Sequence, residues 1–263
     1  MRRKYLANAT AAVIVALALS GCARDRMTTG SVQTSAQPVE QLSEGQVRAE
    51  VDSLGRAYAS DPKNKVLALR YAAVLQMDGR TDQSLAVMRR TAIIHPKDRD
   101  VLAAYGKALA AAGELQPALD AVRRAQTPEY PDWKLVSAEA AILDQLGKTE
   151  EARNLYRKAL DLRPNEPSIL SNLGMSYVLE GDLKAAETYL RKAASVPGTD
   201  SRIRQNLALV VGLQGRFKEA EQIASQEISP EQAKANVAYL RSMLAQQNAW
   251  NQIKEEEEER NTN

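Results

Sequence analysis

The sequence predicts an all-α fold, a right-handed superhelix of antiparallel helix pairs with a capping helix at each end. Three observations carry this reading. Five glycines, Gly79, Gly113, Gly147, Gly181 and Gly215, stand 34 residues apart in one register. Ala118, Ala152, Ala186 and Ala220 each fall five residues after their glycine, and Ala72, Gly106, Ala140, Gly174 and Ala208 fall seven before theirs. The 263-residue chain is 44% hydrophobic but only 5% aromatic, which suits a row of small helix interfaces rather than one globular centre. A fixed period of this length marks units that stack on their neighbours.

The elements follow in order. Val47, Val51, Leu54, Ala57 and Tyr58 share one helical face ahead of Asp61-Pro62, so residues 46–62 are read as an N-terminal capping helix. Pro62 stands 34 residues before Pro96, which makes this cap a lone second helix one repeat early. Five repeats run through 65–98, 99–132, 133–166, 167–200 and 201–234 without insertion. Small residues at the eighth and twentieth positions let helices A and B of a pair approach, since interaxial distance follows side-chain size. The fifteenth-position glycine ends helix A, where a left-handed backbone is cheap for Gly or Asn alone. Pro96 and Pro164 close helix B, with Pro197 one residue early. Pro117 falls in a first turn, where its missing N–H costs little.

The departures sit mainly at the ends of the array. Ser84 stands where alanine is expected, and Tyr130-Pro131 where one proline is expected. The fifth repeat carries Val211 instead of tyrosine, and its second helix is cut short before Pro230. Ser229-Pro230-Glu231-Gln232 supplies an N-cap serine, an N1 proline and an N3 glutamine. A C-terminal capping helix is therefore expected over 230–250, covering the last repeat with Val237, Leu240, Met243 and Leu244. Residues 251–263, with glutamate from 255 to 259, are expected to form a disordered acidic tail. In the fourth repeat Leu170, Leu173, Gly174, Tyr177, Gly181, Ala186, Leu190 and Ala193 together resemble the tetratricopeptide-repeat family, and the resemblance extends over 65–234.

The amino terminus is the second strong signal. Met1-Arg2-Arg3-Lys4 is a basic segment and Ala11 to Leu19 an apolar one, too short to span a bilayer. Leu19-Ser20-Gly21-Cys22 follows, and Cys22 is the only cysteine. This resembles the lipobox of bacterial lipoproteins, which implies a signal peptide over 1–21, diacylglyceryl transfer to the Cys22 sulfur and acylation, with palmitate, of the new amino terminus. Several acyl chains anchor stably, because each buried CH₂ contributes about 0.8 kcal/mol. Ala23 rather than aspartate after Cys22 favours, by resemblance, the periplasmic face of the outer membrane of a Gram-negative bacterium. Residues 22–45, rich in Ser, Thr and Gln, read as a flexible tether, whose roughly 20 residues reach about 25 Å as a coil. The whole chain carries a net charge of +2, and loss of Arg2, Arg3 and Lys4 takes the mature chain to −1. Basic and acidic residues are interspersed, with no basic stripe or aromatic platform for nucleic acid.

No catalytic constellation is visible. The one histidine, His95, precedes Pro96 in an inter-repeat loop. No His, Asp and Glu cluster has metal-ligand spacing, no glycine-rich phosphate loop occurs, and Glu150-Glu151 reads as a solvated pair. The expectation is a protein that is not an enzyme, with no cofactor, metal, nucleic acid or small-molecule substrate. In arrays of this kind helix A lines the concave side. Here that includes Arg70, Ala73, Met77, Lys107, Ala110, Asp144, Leu179 and Leu213, with Asn172, Met175, Val178, Asn206 and Leu209 as the candidate protein-binding groove. Asn172 and Asn206, one repeat apart, can hydrogen-bond an extended backbone beside an apolar strip. The lysine–asparagine set that clamps a terminal carboxylate in related arrays is present only in fragments. An alternative is that Leu240 and Leu244 of the last helix fill that end.

The lipobox, the Ser/Gln tether, the five repeats and the ending SPEQAKANVAYLRSMLAQQNAW together resemble the tight-adherence (Flp) pilus assembly lipoproteins of the TadD type. The resemblance implies an outer-membrane protein that helps assemble the secretin pore of the pilus, and protein partners such as a secretin subunit. A generic periplasmic adaptor for β-barrel assembly or for cell-wall enzymes is the rival reading.

Overall fold

The boundaries of helices A follow from residues that the chain supplies at those points. The computed structural model describes residues 39, 42–127, 129 and 131–262, with 247–262 described by their backbone alone. Twelve helices occur among them. Helix α1 (Glu44–Ser60) is the N-terminal cap. Helices A of the five repeats are α2 (Lys65–Met77), α4 (Arg99–Ala111), α6 (Trp133–Gln145), α8 (Pro167–Glu180) and α10 (Ser201–Leu213). Helices B are α3 (Thr81–Ile94), α5 (Leu115–Ala125), α7 (Thr149–Leu162), α9 (Leu183–Ala194) and α11 (Phe217–Ala224), and α12 (Pro230–Thr262) ends the chain. Helices A start on side-chain caps. Asn64, Asp98, Asp132 and Asp200 each accept a backbone N–H from the first turn, and α8 starts on Pro167 instead.

Helices A end alike. Gly79, Gly113, Gly147, Gly181 and Gly215 all have φ between 73° and 84°. The residue after each glycine donates its N–H five residues back, as from Arg80 to Leu75 (2.8 Å) and from Lys148 to Leu143 (2.9 Å). That bond closes the last turn and satisfies a carbonyl left over by the helix. The eighth and twentieth positions are where the two helices of a pair touch. A Cβ on Gly106 would lie 2.6 Å from Val122 Cγ2, and one on Gly174 would lie 2.9 Å from Leu190 Cγ. Ala118, Ala152, Ala186 and Ala220 are fully buried. Ser84 is tolerated in place of alanine because its buried hydroxyl donates to the Ala72 carbonyl at 2.8 Å.

One apolar cluster runs from α1 to α8, holding Val51, Leu75, Leu109, Leu143 and Tyr156, and a second spans α8 to α12 around Leu190, Leu207, Val210 and Val237. Successive helices A touch one another, α2 to α4 and onward to α10 and α12, whereas successive helices B make no comparable contact. The stack therefore curves with helices A on its inner side. The fold is that of a tetratricopeptide-repeat superhelix.

Two expected boundaries shift. The tether does not extend to residue 45, because the Leu42 N–H donates to the Val39 carbonyl at 3.1 Å and both side chains pack on the core. Ser43 and Gln46 then form a reciprocal capping box at the start of α1. At the other end the backbone is helical to Thr262, where a disordered tail was expected from 251. Residues 231–262 contain no Gly or Pro and are rich in Ala, Gln and Glu, all strong helix formers. Cys22, the signal segment 1–21 and the tether up to residue 38 lie outside the described residues, as does Tyr130.

Candidate functional site: the groove of helices A

The inner face carries a mixed polar and apolar cleft over the first repeats and a more apolar one at the end of the array. In the first half a cleft of about 790 Å³ lies over α2, α4 and the start of α6, lined by Ala73, Met77, Lys107, Asp132 and Lys134, with Val39 at its edge. Two residues expected to face a ligand are committed elsewhere. Arg70 pairs with Glu50 of α1 at 2.7 Å. Asp144 is half-buried and accepts from Ser176 Oγ of the next repeat at 2.8 Å. Burial holds its carboxyl above the ordinary aspartate range, against the hydrogen bonds from Ser176 and Tyr156. Burial likewise pushes the Tyr156 phenol well above its usual range. This buried set pins α6, α7 and α8 together and offers nothing to a partner.

The more apolar end is the better site. A small polar cleft of about 220 Å³ beside it is lined by Ser168, Ser171, Asn172, Asp200, Arg202, Ile203 and Asn206. It continues through Asn206 into a cleft of about 470 Å³ whose floor is Leu209, Leu213, Val237, Leu240 and Met243. Gln205, Asn206 and Asn236 also line it and supply amides. Leu209 is 39% exposed, Met243 49% and Tyr239 69%, large apolar surfaces with no cover. Asn206 Nδ2 donates to Ser171 Oγ at 3.3 Å, which fixes one amide at the junction of the two clefts. An apolar floor with amide side chains can bury a partner's apolar side chains and satisfy its main chain.

Of the five residues expected at the site, the structure brings Asn172, Asn206 and Leu209 into these clefts. Met175 and Val178 line neither cleft; they are half-buried and pack on the second apolar cluster, toward α10. Gln205, Asn236 and Tyr239 are additions. The same beat could have found the last of these, because α12 is a sixth helix A: Val237, Tyr239, Ser242 and Met243 stand 34 residues after Ile203, Gln205, Ala208 and Leu209. Leu240 packs on Gly212, where a Cβ would meet it at 2.5 Å. The last helix thus forms a wall of the cleft and leaves it open.

The geometry agrees with what known proteins show. The family described as TPR repeat matches residues 142–181, and that described as tetratricopeptide repeat matches 167–199. No relative with a curated description matches the sequence. Solved structures similar to this chain share its architecture. Residues 142–199 are thus matched as tetratricopeptide repeats, and the fold is the one those structures share. One such structure is a thermophilic protein of this kind from Thermus thermophilus, 23% identical, covering 66% of this chain and 96% of its own, with a TM-score of 0.57. PilW is 22% identical with a TM-score of 0.57, over 76% of this chain and 91% of PilW. The Cut9–Hcn1 structure of the APC/C is 15% identical, with a TM-score of 0.59, over 75% of this chain and 40% of that one. A tetratricopeptide array is typically a non-catalytic scaffold whose partners are proteins. Among the described residues no three His, Cys, Asp or Glu gather as a metal site, and no helix is long and apolar enough to cross a membrane. His95 Nε2 lies 3.2 Å from the Lys63 carbonyl, a contact between two inter-repeat loops.

Proposed function

We propose that this protein is a lipid-anchored outer-membrane scaffold that grips a protein of the tight-adherence (Flp) pilus apparatus, a secretin subunit foremost. The observation that carries the reading is the open apolar cleft between α10 and α12, with Leu209, Tyr239 and Met243 uncovered beside an amide edge. An uncovered surface of this kind marks a place where another chain docks. Cys22 would carry the anchor, and the solenoid would hold the cargo. The similar PilW structure is described as that of a widely conserved type IV pilus biogenesis factor, and the present reading extends such a role to another pilus class.

The test is a deletion strain complemented by variants. Deletion should abolish surface pili and lower assembled secretin multimers. Cys22→Ser should leave the outer-membrane fraction and fail to restore either. Asn172→Ala with Asn206→Ala, or Leu209→Glu with Tyr239→Glu, should stay in the membrane fraction but restore neither. Carboxylates at 209 and 239 place charge where an apolar side chain must be buried. Normal multimers and pili in the deletion strain end the pilus reading.

A further inference from the structure

The outer side of the first repeat carries an amphipathic patch that the groove does not explain. Ile93, on α3, is 77% exposed, more than any other large apolar side chain described as exposed. It lines a shallow cleft of about 590 Å³ with Lys63, Arg89 and Arg90. Arg89 is shared with Glu114 at 2.9 Å. Neither Lys63 nor Arg90 has a carboxylate within salt-bridge reach among the described residues. The acid on the same face of α3, Asp82, lies eleven residues back from Ile93, about 16 Å along the axis.

This patch is the end of a longer row. The twenty-sixth position of the first four repeats holds Arg90, Arg124, Lys158 and Lys192, all exposed on helices B. One cation per repeat therefore recurs in one register on helices B, Arg124 donating to the Pro96 carbonyl at 3.0 Å. Asp120 and Asp161 stand within a turn of Arg124 and Lys158, whereas no acid stands within a turn of Arg90 or Lys192.

We infer that this face of the first repeat rests on an anionic lipid surface. Unpaired cations complement anionic headgroups, and an exposed aliphatic tip gains by entering the headgroup–acyl boundary. A nucleic acid would use the cations but would find no aromatic side chain among those lining this cleft on which to stack a base. Lys63, at the patch, stands 41 residues after Cys22 in the sequence. On the lipid-anchored reading, on which this inference rests, the solenoid docks by its outer side instead of hanging free on its tether.

The test uses the chain from residue 23 onward, without acyl groups, which contains the whole compact unit Gln37–Asn263. Its sedimentation is measured with phosphatidylcholine vesicles and with vesicles of roughly one-third phosphatidylglycerol. The chain should partition into the anionic vesicles, weakly into the neutral ones, and less as salt rises. Lys63→Glu with Arg90→Glu should lower the anionic partition about tenfold or more, with an unchanged thermal unfolding curve. Ile93→Ser, a milder change, should lower it several-fold and serves as the second reading if the charge variant unfolds. No partition by the parent chain, or equal partition by parent and variants, overturns the inference. Tighter binding to a DNA duplex than to the anionic vesicles at the same salt overturns it as well, in favour of a polyanion site. Because no acyl group takes part, this outcome is independent of whether Cys22 is acylated or the groove is occupied.

Discussion

Gly147 and Gly174 are both required to be glycine, for opposite reasons. A Cβ on Gly147 would meet nothing within 4 Å, but its φ is +77°. Gly174 lies within α8, where a Cβ would stand 3.1 Å from the Ala186 carbonyl oxygen. Gly147→Val should therefore cost about 1–2 kcal/mol through the backbone alone, and Gly147→Asn distinctly less, because Asn tolerates the left-handed region. Ala152 is fully buried, so Ala152→Leu should cost about 1–3 kcal/mol by overpacking. In a chain of this size each kcal/mol lowers the melting temperature by about 2–4 °C. Thermal unfolding by circular dichroism should rank Asn above Val at 147 and show a clear loss for Ala152→Leu. Unchanged curves for Gly147→Val and Ala152→Leu would contradict the repeat register. These positions are legible in the sequence because each constraint recurs every 34 residues. Met175 and Val178 are not. The ninth and twelfth positions border both the groove and the core, and packing on the second apolar cluster decides which side the side chain takes.

At the scale of elements, a buried polar junction holds the third repeat to the fourth. Asp144 of α6 accepts from Ser176 of α8 and Tyr156 of α7, while Arg153 of α7 donates to Glu180 at 3.0 Å and lies 5.1 Å from the Tyr177 ring centroid. Burial raises the Asp144 pKa above its ordinary 3.8. A raised folded pKa means a contribution that is fully present below the unfolded value and is lost as pH rises through the folded one. Asp144→Asn keeps an acceptor and never ionises, so its stability relative to the parent should improve as pH rises from about 3.8, then level off. Asp144→Ala leaves two hydroxyls without their acceptor and should lose about 1–3 kcal/mol at acid pH, and less as pH rises and the parent loses its own contribution. Urea unfolding of the three proteins between acid and neutral pH checks this, and a parent curve parallel to that of Asp144→Asn would refute it. Sequence spacing placed Asp144 on the inner face but could not show that a serine 32 residues on would claim it. The helix ends were more legible, since Gly, Pro and N-cap residues act locally. The run of α12 to Thr262 is not legible from the like charges at 255–259, because helix propensity outweighs their repulsion there.

For the whole molecule, the inner face is polarised along the stack. Its first cleft is mixed in character, and its last is mainly apolar with amide side chains, extended by α12 acting as a sixth helix A. The period gave away this architecture from end to end, yet the cleft itself is a product of curvature and of where α12 lies, which no spacing rule states. Everything proposed for the function turns on a pilus-apparatus protein docking in the cleft between α10 and α12. Site-specific photo-crosslinking in the native bacterium interrogates that contact, with the probe at Leu209 in the cleft and at Lys158 on the outer side. Position 209 should give an adduct with a secretin subunit or another pilus-machinery protein, reduced when Tyr239→Glu is added, and position 158 should give none. An adduct with such a protein from position 158 and none from position 209 would contradict docking in the cleft.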